Sequence, residues 1–394
     1  MGTASIIFVL VAALLSPFLY ERWQLLSTLQ ANAPHRLVKV NTFKSHEIRF
    51  ADRIRSCEDV LMLEDEGLAL LACDPGRETW NTVMGVFESG PNALAGLYLY
   101  DYKLGQGASD QDALKSITFA NFTGAADLHT LGIAFDRKTS TVFVTSHHPG
   151  GSRIETFKLD VAALVATHTG TIQHPLVHAP NAMVVVDSGE LYVTNDHYFT
   201  ARQSRLMAQL ENFLGLPLGS VVRVRLDGGR VEASVVARVP FANGIEVINS
   251  TTVAVASTSR GAVYLYTTSR DGDSVSFTYH SQLRVPFMPD NLSLSNGKLM
   301  IAGHGHIQSL IKFVETRRIC NHPDELAKAT AEMREYCNKA ESPSWVSEWS
   351  EAEGLKHLYV DTEYPSSATA TRDASRGVGI VAGLYAKGIL VWRD

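Results

Sequence analysis

From residue 50 onward the apolar residues come in short runs broken by Gly, Asp, Asn and Ser, and few stretches keep the three-to-four spacing of a helix. The pattern predicts strands. One unit recurs: a polar residue, a short apolar strand, a turn, then a second apolar strand. It occurs as EDVLMLEDEGLALLACD from Glu58, LGIAFDRKTSTVFVTSHH from Leu131, NAMVVVDSGELYVTNDH from Asn181, NGIEVINSTTVAVASTS from Asn243 and DNLSLSNGKLMIAGHGH from Asp290. A similar pair, GVGIVAGLYAKGILVWRD from Gly377, closes the chain. The first five starting points lie 47 to 73 residues apart, with strands such as GLYLYDY (96–102) and GSVVRVRLD (219–227) between them. Such spacing, with about four strands per repeat, predicts an all-β fold, a six-bladed β-propeller. A Greek-key sandwich is the alternative, but it does not need the same polar opening in each repeat.

Three stretches depart from the strand pattern. SIIFVLVAALLSPFLY (5–20) carries no charge before Glu21 and Arg22, so residues 1–22 read as a signal peptide or signal anchor and 40–394 as the propeller. In ARQSRLMAQLENFLGLPLG (201–219), Leu206, Leu210, Phe213 and Leu214 recur at helical spacing, which predicts an amphipathic helix acting as a lid or resting on a membrane. Residues 324–354 read as a helical insertion between repeats, with Trp345 and Trp349 at an entrance or in packing.

Composition adds little to this picture but excludes some functions. With 45% hydrophobic and 19% charged residues among 394, the chain has a core to bury. A net charge of −6 without basic clusters argues against a nucleic-acid partner. The sequons at Asn121, Asn249 and Asn291 fit a secretory route. Four cysteines, Cys57, Cys73, Cys320 and Cys337, allow three pairings, of which a local Cys320–Cys337 bridge across a short helix suits an oxidising lumen. No G-x-S-x-G elbow and no H-E-x-x-H is present.

A propeller brings the start of each innermost strand to one axis, so Glu58, Asn181, Asn243, Asp290 and Asn291 should face one another at one end of a central channel. All five offer oxygen, a donor set suited to Ca²⁺ rather than zinc.

The segments CEDVL (57–61), TNDHYF (194–199), LGL (214–216), FANGI (241–245) and DN (290–291) together resemble the serum paraoxonase/arylesterase family, over about residue 40 to the C-terminus. The resemblance implies a six-bladed propeller with calcium in its tunnel, hydrolysing lactones and aryl esters. It also implies members that attach to membranes or lipid particles. It matches the same five residues to the catalytic calcium, and Asp59 with the Ile133 main-chain carbonyl to a second, structural calcium. The aspartate expected beside them is Ala182, so that site lacks one carboxylate. The family's histidine pair matches His148 in the second repeat, but its other member falls at Leu131; His129, two residues earlier, is either the substitute reaching the same mouth or a loop residue with no task.

The expected chemistry places the substrate carbonyl oxygen on calcium while a histidine takes a proton from water. His129, His148, His197 and His304 are the candidate bases. Asp196 would accept from a histidine and hold its tautomer, which explains why the buried strand of TNDHYF ends on Asn195, Asp196 and His197. The competing readings are a non-catalytic calcium-stabilised propeller that binds a ligand or protein, favoured by Leu131, and a propeller of the strictosidine-synthase type, disfavoured by the complete oxygen set.

Overall fold

The computed structural model describes residues 3–88, 93–105 and 107–394, with side chains undescribed at 3–12 and 14. Six sheets of four or five strands, antiparallel except where Thr118–Ala120 joins Val165–Ile172 in parallel, follow one another along the chain. Their first strands are Cys57–Leu63, Thr130–Asp136, Pro180–Asp187, Ala242–Asn249, Met288–Ser295 and Ser367–Asp373. Each first strand touches the first strand of the next sheet, and that of the sixth returns to that of the first. No sheet closes on itself; the sheets are set radially around an axis, and apolar clusters fill the wedges between neighbours, as where Leu70, Leu97, Val144 and Phe157 meet. Small residues let the inner strands approach: a Cβ on Gly244 would lie 2.5 Å from Leu292 N.

The sixth repeat starts earlier than the sequence pattern suggests. Its first strand is Ser367–Asp373, and the segment from Gly377 supplies the second and third strands, Val378–Gly383 and Ile389–Arg393. The fourth is Ser45–Arg49 from the other end of the chain, paired Ile48 to Leu390. The sixth sheet thus joins an early strand to the last three, which ties the ring of sheets together.

The helical insertion is also shifted. Helices span Ile307–Asn321, Pro323–Lys328 and Ala331–Lys339, whereas Ser344–Ser350 is a strand. Trp345 is therefore a packing residue, stacked 5.4 Å from Phe287 and donating to His357 Nδ1 at 3.0 Å. Both bridges form, Cys57–Cys73 and Cys320–Cys337.

The N-terminal helix runs Thr3–Ala31, past the 1–22 boundary. Most of its apolar stretch lies outside the described side chains. Its later half docks: Arg22 donates to the Ser259 carbonyl, and Asn32 Nδ2 to Pro286 O at 2.7 Å. Among the described residues, no helix is long and apolar enough to cross a membrane.

Candidate active site

In all six sheets the pairing of first and second strands slips at the same place. The irregularities fall between Cys57 and Asp59, Thr130 and Ile133, Pro180 and Met183, Ala242 and Ile245, Pro289 and Leu292, and Ser367 and Thr369. A bulge re-aims the side chains it contains. Inside these bulges sit Glu58, Asn181, Asn243, Asp290 and Asn291, the five oxygen-bearing candidates, while the second and sixth sheets place Leu131 and Ala368 there.

All five are buried. Asn291 Nδ2 donates to Glu58 Oε1 at 3.0 Å and to Thr369 Oγ1 at 2.9 Å. Burial, and then the negative charges of Asp290 and Asp59, push the Glu58 carboxyl well above the usual range. Four oxygens of the set have no hydrogen-bond partner: Glu58 Oε2, Asn181 Oδ1, Asn243 Oδ1 and Asn291 Oδ1. Buried acceptors are rarely left bare, and four in one bulge register mark a place where a cation would satisfy them. Among the described residues, no group of three or more His, Cys, Asp or Glu is placed to hold a metal; the set depends on amide oxygens.

Partners of these residues repeat as well. In three sheets a residue at or just past the end of the second strand binds the bulge residue of its own sheet. Asn181 Nδ2 donates to Asp196 Oδ2 at 3.2 Å, Asn243 Nδ2 to Thr258 Oγ1 at 3.0 Å, and His304 Nε2 lies 3.0 Å from Asp290 Oδ2. Thr258 and Thr369 carried no signal in the sequence pattern.

The candidate bases differ in what their rings have left to offer. His197 lies 2.8 Å from Asp196 Oδ1 through Nδ1 and 3.0 Å from Asn212 Oδ1 through Nε2. Burial works against charge there, but the Asp196 carboxylate prevails and raises the pKa; both ring nitrogens are engaged by oxygens, so neither is left bare. His148 is half-buried; its Nδ1 accepts from Gly150 N–H at 2.7 Å and from Arg153 Nη2 at 3.0 Å. His147 is fully engaged between Thr82 Oγ1 and the Pro180 carbonyl. His129 is buried with Nδ1 3.1 Å from Asp74 Oδ2, and its Nε2 has no partner.

The second expected ion position is occupied by hydrogen bonds. Asp59 Oδ2 accepts from Ile133 N–H at 2.8 Å, and Oδ1 from Val60 N–H at 2.8 Å and Thr369 Oγ1 at 3.1 Å. Beyond it a channel cavity of about 250 Å³ is lined by Asp59, Ile133, Ala182, Glu246 and Asn291. Burial pushes Asp59 to about 6 and Glu246 to about 7.

The sequons separate by exposure: Asn121 and Asn249 are exposed, whereas Asn291 is in the buried oxygen set.

The architecture is that of solved lactonase structures. A gluconolactonase from Xanthomonas campestris superposes with a TM-score of 0.52 at 13% identity, covering 90% of this chain and 94% of that one. A putative gluconolactonase gives 0.51 at 12% identity, covering 90% and 97%. At these identities the likeness concerns the fold alone.

The family model described as Arylesterase matches residues 85–320, more than half of the chain, and the protein belongs to the arylesterase family. Serum paraoxonase/arylesterase 2 of Canis lupus familiaris is 28% identical over 176 residues, 44% of this chain and 47% of the relative. Serum paraoxonase/lactonase 3 of Oryctolagus cuniculus is 30% identical over 179 residues, 44% and 48%. The matches span about half the length of these relatives.

Proposed function

We propose that this protein is a six-bladed β-propeller hydrolase of lactones and aryl esters, dependent on one calcium ion. The carrying observation is the set of four unpartnered buried oxygens inside equivalent bulges. Glu58, Asn181, Asn243, Asn291 and Asp290 would hold the ion, which supplies a Lewis acid for the substrate carbonyl. Asp196, Thr258 and His304 hold three of those side chains in place. With Asp59 spent on Ile133, Val60 and Thr369, and Ala182 offering no oxygen, the reading needs no second ion.

His129 Nε2 takes the proton from the attacking water and returns it to the leaving alkoxide as the carbonyl–oxygen bond breaks. A lactone thereby gives one hydroxy acid, and an aryl ester an acid and a phenol. His129 is preferred because its other ring nitrogen is not tied to a candidate ligand; His304 also keeps a bare nitrogen, Nδ1, but its Nε2 lies on Asp290, and both nitrogens of His197 are engaged.

Two disulfides and the curated relatives support a secretory or extracellular setting. The helix Arg205–Leu214 exposes Leu206, Leu210 and Phe213 beside the docked N-terminal helix, which supports contact with a lipid surface in addition to the small substrate. Anchoring through residues 1–22 belongs to the same proposal.

A non-catalytic calcium-stabilised propeller has Leu131 in its favour, an apolar side chain in the bulge of the second sheet. Turnover of a panel of lactones and aryl esters by wild type and Glu58→Gln, with calcium or chelator, separates the two. The hydrolase reading expects calcium-dependent turnover by wild type and near-total loss in Glu58→Gln; no turnover of any panel member by calcium-loaded wild type sinks it.

A further inference from the structure

We propose that Asp74 is the positioning residue that fixes His129 as a base, replacing the geometry lost at Leu131; this rests on the hydrolase reading above. Asp74 stands just past the second strand of the first sheet, Leu68–Cys73. Asp196, Thr258 and His304 occupy the same slot in the third, fourth and fifth sheets, and each binds a bulge residue of its own sheet. In the first sheet the bulge residue Glu58 is served by Asn291 from another sheet instead. Asp74 is thereby free to reach across to the second sheet, where its Oδ2 accepts from His129 Nδ1 at 3.1 Å. The slot that positions ligands elsewhere positions a histidine here.

Everything else around the imidazole fixes its direction. A Cβ on Gly76 would lie 3.2 Å from His129 Cε1, so the turn after Asp74 packs against the ring edge. The Trp80 ring lies 6.0 Å away, tilted by 30°. The His129 N–H donates to Ser146 Oγ at 3.4 Å, and its carbonyl accepts from His147 N–H at 2.9 Å. Of the histidine's polar atoms only Nε2 is left bare, and it is buried. A carboxylate on Nδ1 holds the proton there and leaves the lone pair on Nε2, as the third member of a nucleophile–base–orienter set does.

The proton path balances without any further reactant. Water's oxygen bonds to the carbonyl carbon while its proton goes to Nε2. The ester C–O bond then breaks, and the same proton passes to the departing oxygen. The Nδ1 proton stays on its hydrogen bond to Asp74 throughout. The other charged or titratable groups near the ring are His147 and His148, beyond the second strand of that sheet, and Arg77, which donates to the Thr130 carbonyl.

The test compares wild type, Asp74→Asn, Asp74→Glu and His129→Gln, all calcium-loaded, for kcat and KM on one lactone and one aryl ester across pH 5 to 9. Thermal unfolding and metal content are measured on each. His129→Gln is expected to lower kcat by about 10²- to 10⁴-fold. Asp74→Asn should lower it by about 10- to 100-fold, with KM and metal content unchanged. Asp74→Glu should recover part of the loss. Nitrogen-15 spectra of the histidine rings should show the Nδ1–H form in wild type and its loss in Asp74→Asn. Wild-type turnover with an unaltered kcat and pH profile in Asp74→Asn overturns the assignment and leaves the hydrolase reading standing. A loss confined to melting temperature, with kinetics intact, overturns it equally. Inactive wild type sinks both together.

Discussion

Asn291 donates its side-chain amide to Glu58 Oε1 across 3.0 Å, although 233 residues separate them. The contact joins the fifth sheet to the first and leaves Glu58 Oε2 and Asn291 Oδ1 bare, so the two side chains brace each other while each keeps an oxygen for something else.

Crowding of carboxylates sets the first prediction. Burial first, and then repulsion from Asp290 and Asp59 where no cation intervenes, makes the Glu58 carboxyl resist ionisation. In chelator, Glu58→Gln should therefore melt at or above the wild-type temperature. Saturating calcium should raise the wild-type midpoint, by about 2.7 kcal/mol of stability at a hundred times Kd, and leave the variant almost unmoved. Differential scanning calorimetry with and without calcium reads both. Equal calcium shifts in the two proteins would remove Glu58 from the ligand set.

A second prediction concerns pH. The Glu246 carboxyl, pushed up to about 7 by enclosure in the channel, holds its proton in the folded protein between roughly pH 4.5 and 7, where the unfolded chain has released it. Its contribution is present at low pH and lost as pH rises through 7. The chelated protein should accordingly lose melting temperature from pH 5 to 8, and Glu246→Gln should reduce that slope. An identical slope in the variant places the pH dependence elsewhere.

The ring of oxygens was legible because four repeats open on a polar residue, Glu58, Asn181, Asn243 and Asp290, and the bulges explain why those openings are polar. The sixth was misread because SATATRD opens on small and hydroxyl residues, giving no Asn or Asp to count from. Trp345 and Trp349, four apart, share a face in a strand as they nearly do in a helix, so their spacing could not decide between the two. Asp74 was readable in principle: it follows LALLAC as Asp196 follows LYVTN. Its partner was not, since the contact with His129 crosses 55 residues and depends on which way two loops turn.

Covalent bracing yields a third prediction. Cys57 immediately precedes Glu58 and Cys73 immediately precedes Asp74, so one bridge fixes the strands that deliver both residues. Replacing the pair by serine should cost about 3 kcal/mol in urea unfolding and weaken calcium retention in the same protein. Retained affinity despite the lost stability would show that the oxygens keep their places without the bridge.

The last prediction concerns the mouth-side helix. Ser204 Oγ accepts from Met207 N–H at 3.3 Å to start Arg205–Leu214, and Glu211 accepts from Tyr198 and Phe199 N–H, which fastens the helix to the loop carrying His197. Its outward side is apolar: Leu206 is 65% exposed and Phe213 61%, with Leu19, Tyr20 and Trp23 of the docked N-terminal helix also exposed. Arg22, which donates to the Asn212 carbonyl at 3.4 Å, joins the two helices into one surface. Large exposed side chains grouped this way suit a hydrocarbon boundary better than water. Burying one such side chain is worth about 1.5–3 kcal/mol, so Leu206→Ser with Phe213→Ser should lower partitioning onto phosphatidylcholine vesicles by tenfold or more. Neither side chain reaches the oxygens, and kcat on a soluble lactone should stay at the wild-type value. Unchanged vesicle binding would assign this surface a role other than contact with lipid.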